Sequence, residues 1–156
     1  MHSKFLAIVS TLEAGLEKLR TCPPLVFGEL PVRMAGSGVY LFTEGDTHLY
    51  VGRSNRLRKR YFLHCRPGSQ QNQASFAYKL AREFLGIEGA AYKKGEWSRV
   101  GLAAKPAFMN AFGAAKARIR RMQYRFVEEP DQTRQALLEA YCTIALDTPY
   151  NDFDTH

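Results

Sequence analysis

The chain reads as an α+β protein, with a small, mainly antiparallel three-stranded sheet flanked by helices. Three observations predict this. Two short β-patterned runs, 37–43 and 48–52, flank the turn Glu44-Gly45-Asp46, which is the signature of a hairpin. A third alternating run, 122–127, stands far downstream. Much of the remaining apolar sequence recurs at helical spacing. The strands are placed at about 38–43, 47–52 and 121–127.

The helices follow in order. Phe5, Ile8, Val9, Leu12, Leu16 and Leu19 share one stripe, which predicts a single helix over 3–20, ended by Cys22-Pro23-Pro24. Residues 1–36 are therefore a helical extension ahead of the sheet. After the hairpin, Ser54-Asn55 can cap a helix over 56–65, and Arg66-Pro67-Gly68 stops it. Residues 75–85 place Phe76, Leu80 and Phe84 at i, i+4 and i+8 of another helix. Residues 86–105 have no clear period, and a strand is expected around 97–103. Pro106 opens a helix to about residue 119. Pro130-Asp131 starts the last one, which ends near residue 146, before Thr148-Pro149.

Length and composition bound the class. At 156 residues, with 46% hydrophobic and 24% charged residues, one globular domain is expected over 1–156. Cys22, Cys65 and Cys142 form neither a disulfide framework nor a C-x-x-C metal pattern, which predicts a reducing, cytoplasmic setting. No apolar run approaches the ~20 residues that span a bilayer, and Thr11 and Glu13 interrupt the N-terminal run too soon for a signal peptide. No membrane partner is expected.

The charge is unevenly distributed. The net charge is +7, yet residues 50–125 hold seventeen basic and three acidic residues, and residues 126–156 hold one basic and seven acidic. A basic segment of that size points to phosphate backbone as partner, although solvated helix faces would give the same count. A hairpin centred on Gly45 pairs residues whose numbers sum to about 90, so Tyr40 faces Tyr50 on one side of the sheet. Arg53, Arg56, Arg58, Lys59 and Arg60 follow within ten residues, and Arg56, Arg60 and His64 share one helix face. Two phenols beside an arginine-bearing helix make a chemically sensible phosphate pocket; an aromatic cross-strand pair is the plain alternative.

Gly38-Val39-Tyr40, Tyr50-Val51-Gly52 and Arg60, followed by Glu139 and by Pro149-Tyr150-Asn151, resemble the GIY-YIG nuclease family in order and spacing. The resemblance covers residues 37–65 and about 122–151, with valine for isoleucine in both tripeptides. It implies hydrolysis of a phosphodiester with one divalent metal, Mg²⁺ or Mn²⁺. It implies Tyr40 as the general base, with Tyr50 orienting it or the attacking water, Arg60 as the phosphate contact and Glu139 as the metal ligand. Mg²⁺ accepts a site with one carboxylate and several waters. Ionising an ordinary tyrosine at neutral pH costs about 4 kcal/mol, a cost that Arg53, Arg60 and the metal are expected to lower. Arg53 can also touch water or phosphate. His64 can contact phosphate or donate a proton, and a structural role is its other reading. Gly52 allows close backbone approach. Asn151 either positions a metal water or holds the chain through its amide.

The interval from Arg60 to Glu139 exceeds the minimal core of that family, so residues 66–120 look like a basic insertion. Together with Arg56, Arg58 and Lys59, the residues Lys116, Arg118, Arg120, Arg121 and Arg125 are read as a surface that tracks the backbone of a nucleic acid. The leading function is a metal-dependent endonuclease acting on DNA, with RNA left open and a homodimer suited to cutting both strands. Its rivals are a binding module that cuts nothing and a scaffold for an acidic protein partner.

Overall fold

The computed structural model describes residues 1–87 and 95–153. Lys93 and Lys94, counted in the basic segment, lie outside the described residues. The first elements are helices α1 (Ser3–Val9) and α2 (Leu12–Thr21), strands β1 (Gly38–Glu44) and β2 (Thr47–Ser54), and helix α3 (Leu57–Cys65). Then come α4 (Ser75–Phe84), α5 (Arg99–Ala103), α6 (Pro106–Arg120), β3 (Gln123–Glu128) and α7 (Gln132–Leu146). They divide into two compact units, one of residues 1–60 and 122–151, the other of residues 61–121 with the described residues that follow 151.

The first unit holds the sheet, in the order β2-β1-β3 with both pairings antiparallel. Central strand β1 is buried from Gly38 to Thr43. One face carries Val39, Leu41 and Val51, which pack on Leu12, Leu16 and Leu19 of α2 and on Leu138 and Cys142 of α7. Each such aliphatic side chain taken fully from water contributes about 1.5–3 kcal/mol. The other face carries aromatics: the Phe42 and Tyr124 rings lie 5.2 Å apart, and Tyr40 sits 5.8 Å from each.

Both outer edges of the sheet are covered over part of their length, which shortens the unpaired backbone that would template association. Leu25 pairs with Tyr124 on β3 through two backbone hydrogen bonds of 2.7 and 2.8 Å. On β2, Tyr150 N donates to Leu49 O, and Asn151 takes both backbone groups of Val51.

In the second unit, α4 packs on α6 through Phe76, Ala77 and Leu80 on one side and Phe108, Phe112 and Ile119 on the other.

Two expectations are corrected. The N-terminal helix is two helices, because the hydroxyls of Ser10 and Thr11 donate back to Ala7 O (2.9 Å) and Ile8 O (2.7 Å) and compete with helix continuation. Only α2 then reaches the core, and no residue of α1 is buried. The strand expected around 97–103 is helix α5. Ser98 Oγ caps it by accepting from Gly101 N at 3.0 Å, and Gly101 fits because a Cβ there would lie 2.3 Å from Gly95 O. Phe84, at helical spacing from Phe76 and Leu80, does not share their burial and is 81% exposed.

Candidate active site

The site is built on the hairpin, and its two glycines have steric causes. A Cβ on Gly38 would lie 1.9 Å from Val127 O, so the end of β1 can meet β3 only without a side chain. A Cβ on Gly52 would lie 2.3 Å from both Cζ and Oη of Tyr40. The reason follows from the register. The turn is centred between Gly45 and Asp46 rather than on Gly45, and a bulge follows Phe42; each moves the pairing by one residue, so Tyr40 stands opposite Gly52 and Tyr50 opposite Phe42. A shift of two preserves the face of every side chain. The tyrosines therefore still share one face, as diagonal neighbours with ring centroids 6.4 Å apart. The close approach read at Gly52 is made by the Tyr40 ring.

Arg60, at the end of the first turn of α3, reaches back to the sheet and hydrogen-bonds the phenols of both Tyr40 and Tyr50. Burial drives the Tyr40 phenol far above the ordinary tyrosine range, with Tyr50 adding to the shift; Arg60 opposes it but does not cancel it. Arg60 thus eases Tyr40 ionisation in the expected direction, but removal from water outweighs the guanidinium. Glu139 is close enough to act electrostatically on Tyr40.

Glu139 projects from α7. Its Oε2 accepts from Arg53 Nε at 3.1 Å, and Oε1 has no hydrogen-bond partner among the described residues. Burial lifts the Glu139 carboxyl above its usual range, with Arg53 pulling it down. No cluster of three His, Cys, Asp or Glu side chains stands together among the described residues. The donor set is one half-desolvated carboxylate with an uncommitted oxygen, which fits a hard divalent ion that keeps most of its waters.

Two supports hold this arrangement. Asn151 Oδ1 accepts from Val51 N and Thr148 Oγ1, and Nδ2 donates to Val51 O, all at 2.8 Å. Of the two roles read for Asn151, the structure gives the one that holds the chain: its amide clamps β2 between Tyr50 and Gly52. The second support, Gln135, is absent from the sequence reading. Fully buried one turn before Glu139, it donates from Nε2 to Asn55 Oδ1 (3.0 Å) and Glu129 O (2.7 Å) and ties α7 to the corner after β2. A polar residue i−4 from the glutamate, on the side of α7 that turns inward, was the available signal.

The remaining basic residues divide sharply. Arg53, Arg56 and Lys59 are exposed in the first unit. Arg58 is exposed too, but its Nη1 donates to Pro31 O at 2.8 Å. Lys116 is corrected from nucleic-acid contact to loop anchor: it is buried, and Nζ donates to Pro67 O and Ser69 O, both at 2.7 Å. Burial also lowers its pKa. Arg120 binds Cys65 O at 2.7 Å and Arg125 binds Cys22 O at 3.1 Å, so they too hold backbone. Arg118 and Arg121 line a groove described below. His64 is fully buried and presents no face to a phosphate in solvent.

No family model, curated protein or solved structure matches the chain in comparisons with known proteins. The functional reading therefore rests on the site. No helix among the described residues is long and apolar enough to cross a membrane.

Proposed function

We propose that the protein is a metal-dependent endonuclease of the GIY-YIG kind that hydrolyses phosphodiester bonds in DNA. The observation that carries this reading is the triad of Arg60 with the Tyr40 and Tyr50 phenols, with Glu139 within electrostatic reach. A guanidinium held against two phenols is a preorganised donor for the oxygens of a phosphodiester, whose charge grows in the transition state. Arg53, tied to Glu139 through Nε alone, has its Nη groups unpartnered among the described residues and aids the same contact.

Hydrolysis needs a water oxygen to attack phosphorus, a proton acceptor for that water and a departing sugar oxygen. Tyr40 Oη, held by Arg60, is the acceptor in this reading, and it serves as one only when ionised. A divalent cation on Glu139 supplies positive charge to the phosphate oxygens and to the attacking water when bound. The test is cutting of supercoiled plasmid with Mg²⁺ or Mn²⁺, beside a Glu139→Ala variant and an EDTA control. Nicking that disappears in both controls supports the reading; a chain that binds plasmid but never cuts it replaces this reading with the binding module. One observation favours that second reading, namely the burial that holds Tyr40 protonated.

A further inference from the structure

The second unit carries a groove of about 270 Å³ along α4 and α6. Its floor is Ala111, Ala114 and Ala115, Leu80 and Phe84 of α4 line its other side, and Arg118 and Arg121 complete the lining. The alanines and Arg118 repeat at i, i+3, i+4 and i+7, so one whole face of α6 is shaved down beside a ring that is 81% exposed. The adjoining face, with Phe108, Phe112 and Ile119, is core, and Ala111 and Ala115 are buried at its margin. Of the five downstream cations first read as a backbone-tracking surface, Lys116, Arg120 and Arg125 are bound to carbonyls. Arg118 and Arg121 are the two that line a cavity.

We infer that this groove holds one unpaired nucleotide of a single-stranded nucleic acid, its base stacked on Phe84 over the alanine floor and its phosphate on Arg118 and Arg121. The inference rests on the proposed nuclease reading and extends it to a substrate class. Three features select the occupant. The lining has two guanidiniums and no carboxylate, which complements phosphate. Residues 61–121 as a whole hold eleven basic and three acidic residues, so the surrounding field has the same sign. The volume lies just below the ~300–1,000 Å³ of sites that enclose drug-sized ligands. That suits one ring system with its sugar and is too short for the row of i, i+3, i+4 and i+7 anchors of a bound helix. An exposed aromatic beside arginines is the platform on which unpaired bases stack without sequence preference.

The test is fluorescence anisotropy on the full chain in EDTA, with a short labelled single strand of mixed sequence and its matched duplex. F84A is expected to weaken single-strand binding by about five- to a hundredfold, to leave duplex binding within about twofold and to leave the melting temperature unchanged. Phe84→Trp restores the single-strand affinity. An Arg118→Gln/Arg121→Gln variant is expected to reduce the salt slope of single-strand binding by roughly 0.7 per lost phosphate contact. Equal single-strand binding by F84A and wild type overturns the inference, as does equal weakening toward single strand and duplex. If wild type cuts plasmid and F84A binds single strands as wild type does, the groove assignment fails and the nuclease reading stands. If wild type neither binds nor cuts nucleic acid, the nuclease reading fails and takes the groove with it. Phe84-dependent binding of an acidic peptide in that case makes the groove a protein site.

Discussion

Arg60 in the first unit and Lys116 in the second are both partly or wholly withdrawn from water, and both are tied down by oxygen acceptors. Arg60 binds two phenols on a sheet face, side chain to side chain. Lys116 binds the carbonyls of Pro67 and Ser69, side chain to backbone. Arg99 and Arg120 repeat the Lys116 pattern on Gln71 O and Cys65 O. A carbonyl in a loop cannot be exchanged for a ligand without undoing the loop, whereas a phenol can share its donor with an incoming phosphate. Net charge counts both kinds of cation alike, and only the second kind is open to chemistry.

That contrast can be broken most directly at Arg60. Arg60→Ala is expected to reduce plasmid nicking by about 10³-fold, the scale of a lost transition-state donor, while the chain still folds as judged by circular dichroism. Nicking at near wild-type rate would place Arg60 with the loop anchors. Gly52→Ala comes next. The added methyl must displace the buried Tyr40 ring, so a loss of about 1–3 kcal/mol in urea unfolding and of roughly 10² in nicking rate is expected, since small misplacements at a site are costly. Unchanged stability would mean that the ring is free to move.

Lys116→Met is the opposite case. Two hydrogen bonds from a charged donor are lost, and about 2 kcal/mol of stability should go with them, with the nicking rate unchanged at temperatures where the variant is folded. Weaker nucleic-acid binding without destabilisation would return Lys116 to the interface.

The smallest effect on stability is expected at Glu139. Its carboxyl titrates above the usual range because it is partly desolvated, so the folded chain holds that proton more tightly than the unfolded chain. The ionised carboxylate therefore opposes folding above its folded pKa, and the opposition fades as pH falls through that value toward the unfolded one. Glu139→Gln should raise the melting temperature slightly at pH 7, lose that advantage in acid and abolish nicking. A lower melting temperature at pH 7 would show that the Arg53 pair outweighs desolvation.

The sequence made some of this legible and hid the rest for physical reasons. Alternation reports which face a side chain takes, so the shared face of Tyr40 and Tyr50 was readable; it does not report the partner, so the bulge after Phe42 and the Tyr40–Gly52 contact were not. An apolar stripe ran through 3–20, but two hydroxyls at its centre turn back on the helix and split it. Ser98 as a cap competed with the β-branched Val100 beside it and won. The clamp at Asn151 was half visible, because an amide's chemistry allows both roles and only the position of Val51 decides. Gln135 carried only a weak signal, a polar residue i−4 from Glu139 on the inward side of α7, and its burial gives that signal its meaning.

The clamp on β2 also sets an order of assembly. Val51 and Asn151 are a hundred residues apart, and Glu139 is eighty-six from Arg53. A ribosome therefore delivers both tyrosines and Arg60 long before the carboxylate, and it delivers the amide that covers the strand edge later still. Through that interval the nascent chain shows an uncovered β2 edge and a cluster of Tyr40, Tyr50 and Arg60 without Glu139, so translation of residues 132–151 both covers that edge and completes the cluster.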